Sequence, residues 1–173
     1  METAQWFCDQ LAQGLADFEH ALEQVPADRL YVEPPPAAGE DSLGEWPAAR
    51  HLFHLAYYEQ HTAIPALHYW IGEPYPHYEG PDEDAAWESA REIERGIAML
   101  RETREWQMEL IPRVLAETWR HVHHTGWGDV SLRWAMTKTI QHTHEHINGV
   151  LRLALFWEMT ETHAQQAEQG TAD

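Results

Sequence analysis

Apolar residues recur three and four positions apart along most of the chain, whereas the alternate spacing of a strand is almost absent and Val is scarce. Phe7, Leu11, Leu15, Phe18, Leu22 and Val25 form one stripe, which predicts a first helix ending near Pro26. A loop through Pro34-Pro35-Pro36 and Gly39 follows. Ser42-Leu43-Gly44-Glu45 then has the Ser-x-x-Glu form of a capping box and predicts the start of a second helix. That helix runs to about Trp70 with a kink at Pro65, because Trp46, Phe53, Tyr57, Ile64 and Leu67 keep helical spacing. Gly72 to Asp82 reads as a loop, and Asp82 and Asp84 open a long, charged third helix. Glu88 with Arg91 and Glu92 with Arg95 mark its wet face, and Ile93, Ile97 and Leu100 its apolar seam. Pro112 ends it. A connection over 120–129, with Gly126 and Gly128, leads to a fourth helix capped by Asp129 or Ser131 and running to about Thr160. The expected fold is all-α: one four-helix bundle over 1–160, with a flexible tail over 161–173 that lacks an apolar period.

Composition narrows the function classes. The formal net charge of −18 repels a phosphate backbone, so no nucleic acid partner is expected. Nine Trp and 43% hydrophobic residues exclude a disordered acidic chain. The single Cys8 forms no internal disulfide and no zinc ribbon. With no signal-peptide pattern and no long apolar run, the expectation is a soluble cytoplasmic protein with no membrane partner. On the fourth helix Met136, Ile140, Ile147 and Leu151 form an apolar row opposite the histidines. A helix apolar on two sides needs two partners, which predicts a homodimer.

Histidine is the outlier, thirteen in all. In Gln141-His142-Thr143-His144-Glu145-His146, His142 and His146 stand about one turn apart on the face shared with Ala135, Thr139, Gly149, Leu153 and Trp157, which points into the bundle. Two imidazoles so placed can grip one metal, whereas burying them without partners is costly. A third ligand is available on the second helix. His54, His61 and His68 share a face, but intervals of seven residues mean about 10.5 Å of rise, so only one of them can join the pair. His54, on the side of Leu43, Trp46 and Tyr57, is the first choice and His51 the alternative. Three neutral imidazoles leave at least one open position on the ion for a small-molecule substrate. The ion is Zn, Ni or Fe by ligand type.

Lys138, one turn before His142, is a candidate to hold an anionic group, and Glu145 a candidate to move a proton. Trp46, Tyr57 and His61 are candidate pocket walls. His121, His123 and His124 could form a second metal site in the connection, and Cys8 is a candidate nucleophile. A di-iron centre is disfavoured because no Glu is followed by His at the third position. Zinc-protease, serine-hydrolase and nucleotide-binding motifs are absent.

Trp46-Pro47, His51-Leu52-Phe53-His54-Leu55-Ala56-Tyr57-Tyr58-Glu59 and His142-Thr143-His144-Glu145-His146 together resemble the DinB/YfiT-like superfamily, over residues from about 4 to 160. The resemblance implies a four-helix bundle with one divalent metal on a His of the second helix and a His-x3-His pair of the last. Those positions fall on His54, His142 and His146. It also implies transfer or isomerisation chemistry with a low-molecular-weight thiol such as bacillithiol or mycothiol as cosubstrate, or metal-dependent hydrolysis. A non-catalytic metal-binding bundle is the remaining reading. The chain departs from the common pattern at Ile147-Asn148-Gly149-Val150, where a Gly-Gln pair is frequent.

Overall fold

The structure is a computed structural model, and it describes residues 2–36, 42–74, 82–89 and 91–170. Helix α1 spans Glu2–Glu23, α2 Ala48–Tyr58, α3 Ile64–Ile71, α4 Glu83–Ser89, α5 Ile93–Leu110 and α6 Leu132–Gly170. A π turn, Glu59–Ala63, joins α2 to α3 without a break, so α1, the α2–α3 rod, α5 and α6 are the four long members of a bundle. Pro65 explains the irregularity. It lies in the first turn of α3, where its missing N–H is tolerated, and the preceding turn widens instead of breaking.

The structure departs from the sequence expectations in five places. Helix α2 starts after Pro47 with no side-chain cap, and Ser42 Oγ accepts from the Gly44 amide instead of capping a helix. The expected third helix is two pieces, α4 and α5, with the extended Glu92 before the second. The connection near Gly126 carries a short antiparallel hairpin, β1 (Val122–Thr125) with β2 (Gly128–Ser131), in which His123 pairs with Val130. Its tight turn needs Gly128, at φ +91°. Asp129 therefore lies in a strand, and Ser131 is the residue whose Oγ accepts from the Trp134 amide at the start of α6. Finally, α6 continues past Thr160 to Gly170, because nothing in 161–170 breaks a helix. The Pro- and aromatic-rich stretch 75–81, Gly39 and residues 171–173 lie outside the described residues.

The core has two parts. One gathers Phe18, Leu22, Leu52, Leu55, Leu100, Val150 and Leu153. The other gathers Phe7, Leu11, Ile64, Leu67, Leu110, Leu132 and Met136. Between them lies a buried polar layer with Glu59, Arg104, Gln107 and Thr143. Arg104 donates to Glu59, to the Leu11 carbonyl and to Thr143, and Gln107 donates to Glu59. In α1 the layer passes Gly14, where a Cβ would sit 3.0 Å from Thr143 Cγ2 and 3.1 Å from Arg104 Nη1.

The apolar row assigned to a second copy is covered by the chain itself: Met136, Ile140 and Ile147 are buried in the two core clusters, and Leu151 packs against one of them. Met136, Ile140 and Ile147 are thus already partnered within the chain. Among the described residues no helix is long and apolar enough to cross a membrane.

Candidate metal centre

Helix α2 presents His54 and α6 presents His142 and His146, and their Nε2 atoms converge. His142 Nε2 lies 3.1 Å from His54 Nε2 and 3.0 Å from His146 Nε2. Ligand atoms of all three lie within 4.8 Å of one another, the one such group of three or more His, Cys, Asp or Glu among the described residues. Bonds of roughly 2.0–2.1 Å to one ion, diverging at about 90–110°, would put nitrogens about 2.8–3.4 Å apart, and both of these Nε2 separations lie in that range. Without a cation the arrangement is poorly satisfied. One Nε2 proton cannot serve three facing nitrogens, whereas a cation uses all three lone pairs at once.

The outer nitrogen of His54 fixes its tautomer. Glu83 Oε1 lies 2.7 Å from His54 Nδ1, and a carboxylate only accepts, so Nδ1 carries the proton and Nε2 the lone pair. His51 Nδ1 lies 2.9 Å from His146 Nδ1, and His51 Nε2 is buried with no partner. His51 thus stands behind His146 rather than among the ligands. Its ring fits there because residue 149 is glycine: a Cβ would come within 2.7 Å of His51 Cε1.

Burial and neighbouring charges keep His142, His146 and His51 neutral. His142 is pushed down to about 4, first by burial and then by the charges of His54 and Lys138. His146 falls to about 2 by burial and by its three histidine neighbours and Lys138, and His51 to about 4 by burial and His54. Neutral imidazole is the form a metal needs. Trp46 lies parallel to the His146 ring at 6.0 Å and 4.9 Å from His54, closing one side.

Not every sequence candidate arrives here. Tyr58, not Tyr57, packs on His142, at 4.3 Å, and burial pushes its phenol up. Tyr57 and His61 pack on each other with tilted rings at 4.1 Å. Lys138 and Glu145 face each other at 3.6 Å on the outside of α6, with Gln141 bridging them. His124 pairs with Asp129 on the surface and His123 packs on Tyr69 and Trp70, so the loop histidines do not form a second cluster. Cys8 has its thiol pKa raised by burial and by Asp9, the reverse of an activated nucleophile. A hollow of about 1300 Å³ beside Trp6, Trp119 and Arg133 shares no residue with the histidines.

Sequence reasoning missed Glu83, Arg50 and the Arg104–Glu59 pair. Arg104 and Gln107 had a signal, since they extend the seam Ile93, Ile97, Leu100 at the same spacing and so were due inside. Glu83 had none. It reaches His54 from an element 29 residues away.

Comparison with known proteins agrees with this fold. The profile of a family described as the DinB superfamily matches residues 10–149. No curated protein matches the chain. Among solved structures, YfiT from Bacillus subtilis is similar with a TM-score of 0.68 at 18% identity, over 91% of this chain and 90% of that one. YfiT is described as a probable metal-dependent hydrolase with an unusual four-helix bundle topology.

Proposed function

The chain belongs to the DinB superfamily, and from that premise we propose that it is a metal-dependent enzyme acting on a small molecule, with one divalent ion, Zn, Ni or Fe, held by His54, His142 and His146. The observation that carries this reading is the convergence of three Nε2 atoms from two helices. When bound, such an ion supplies Lewis acidity and lowers the pKa of a thiol or water nucleophile. The reaction class we assign is transfer of a low-molecular-weight thiol to an electrophile. Hydrolysis is the second reading, favoured by the likeness to YfiT.

The chain's own groups have separate tasks. Glu83 and His51 hold the outer nitrogens of His54 and His146 and so aim the inner ones. Trp46 keeps water from one side of the cluster. Lys138, whose charge bears on both His142 and His146, holds an anionic group of the substrate.

Elemental analysis of untagged protein tests the site. The expected result is about one ion per chain, lost in His54→Ala, His142→Ala and His146→Ala with the helical circular dichroism intact. Wild type that takes up no added Zn, Ni or Fe would overturn the reading. With metal bound, chelator-sensitive consumption of a thiol in the presence of an electrophile marks transfer, and product release without thiol marks hydrolysis. Loaded protein inert to broad panels of both would leave a non-catalytic bundle.

A further inference from the structure

We propose that Glu83 is a positioning residue for the histidine cluster, and that seating α4 against the bundle and loading an ion on His54, His142 and His146 are one linked equilibrium. The inference rests on the metal reading above. It begins with how little else holds α4. The helix has seven residues, too few to be stable alone, and none of them is buried. Its attachments are side chains that reach inward. Glu83 meets His54 Nδ1 at 2.7 Å and Arg50 Nη2 at 3.0 Å, Asp84 meets the same Nη2 at 2.7 Å, and Trp87 lies 5.5 Å from the Phe53 ring.

Arg50 is the fixed half of this clamp. Its side chain is 7% exposed, and its guanidinium lies over Trp46, Phe53 and Trp87 at 5.3 to 5.6 Å. Set in that aromatic box, it holds Glu83 in place, and Glu83 in turn fixes the tautomer and the rotation of the His54 ring. The other two ligands come from one helix and keep their spacing whatever α4 does. His54 alone depends on an element that can leave.

The direction of coupling follows from the charges. A cation on Nε2 draws electron density from the ring and makes Nδ1–H a stronger donor, which strengthens the bond to the Glu83 carboxylate. Ion binding therefore favours the docked α4, and by linkage the docked α4 favours ion binding by the same factor. Asp84 supplies an internal control. It shares Arg50 with Glu83, but its side chain is 92% exposed and it has no contact with His54.

The test is Zn affinity of the full chain by competition with a chromophoric chelator, together with amide hydrogen exchange over 83–89 with and without Zn. E83Q keeps a neutral acceptor and removes the charge, and it is expected to weaken Zn binding about 10- to 100-fold. D84N removes one attachment of α4 but leaves Glu83 on His54, so it should weaken Zn binding far less than E83Q, by no more than about fivefold. Zn should slow exchange over 83–89 in wild type and D84N, and do so less in E83Q. At saturating cobalt, the visible spectrum of E83Q should differ from wild type, reporting a changed ring orientation. E83Q that binds Zn as tightly as wild type overturns this inference alone. D84N that weakens binding as much as E83Q, or exchange indifferent to Zn, also overturns it. Wild type that binds no ion at all removes the proposed function and this inference with it.

Discussion

Arg104 and Glu59, 45 residues apart in the chain, meet at 2.7 Å in the middle of the bundle with 1% and 0% of their side chains exposed. The pair closes a layer that draws on all four long helices, through the Leu11 carbonyl in α1, Glu59 in the π turn, Arg104 and Gln107 in α5, and Thr143 in α6. Thr143 follows His142 directly, so the layer fixes the rotation of α6 where it presents His142 and His146.

Removing one partner leaves a buried charge. Glu59→Ala should cost about 3–5 kcal/mol of stability, whereas replacing both residues by apolar ones of similar volume should recover most of it. Urea unfolding of the single and double variants measures both. A single-variant loss under about 1 kcal/mol would mean that the pair does not hold the bundle.

Gly14→Ala probes the same layer from α1. The new methyl would press on Thr143 and Arg104. Overpacking of about 1–3 kcal/mol should outweigh the gain of about 1 kcal/mol in helix propensity, so the variant should melt lower than wild type. A higher melting temperature would show that the layer yields.

Acid should destabilise the metal-free protein in a defined window. Burial and their neighbours push His51 and His142 down to about 4 in the folded chain from an ordinary value of 6.5, and His146 to about 2. Below the unfolded value the unfolded chain binds more protons than the folded one, so stability falls as pH drops from about 6.5 towards 4 and further for His146. Bound metal needs neutral imidazoles, so the melting temperature with excess Zn should fall more steeply over the same window. Melting curves across this range, with and without Zn, check both slopes. A flat profile would contradict the burial of these rings.

Gly149→Ala should weaken metal binding without touching a ligand, because its Cβ would displace the His51 ring that stands behind His146. A loss of about 10-fold in Zn affinity is expected, with Asn148→Ala, at the neighbouring exposed position, unchanged. Equal affinities in the two variants would show that His51 does not steer His146.

Zn at about a hundred times its dissociation constant should stabilise wild type by about 2.7 kcal/mol and leave His142→Ala unmoved. Thermal unfolding before and after chelation reads the difference. Stabilisation that survives in His142→Ala would place the ion elsewhere.

Much of this molecule was legible in the chain. Local spacing determined which residues share a helix face, because side-chain direction repeats every 3.6 residues. That periodicity put His142 and His146 together, and the rise of a helix admitted only one of His54, His61 and His68 beside them. What lies between elements left weaker marks. The hairpin went unread because four-residue strands carry too little pattern, and the capping box at Ser42 failed because Pro47 starts the helix later. The charged α5 hid a buried arginine whose partner comes from another helix. Tertiary structure alone decided that His51 stands behind His146, that Tyr58 rather than Tyr57 meets His142, and that Glu83 crosses to His54. Periodicity is a property of one helix and is written in consecutive residues. The choice of an ion's outer partners depends on how separate helices are rotated and seated, and packing settles that only when the whole chain has folded.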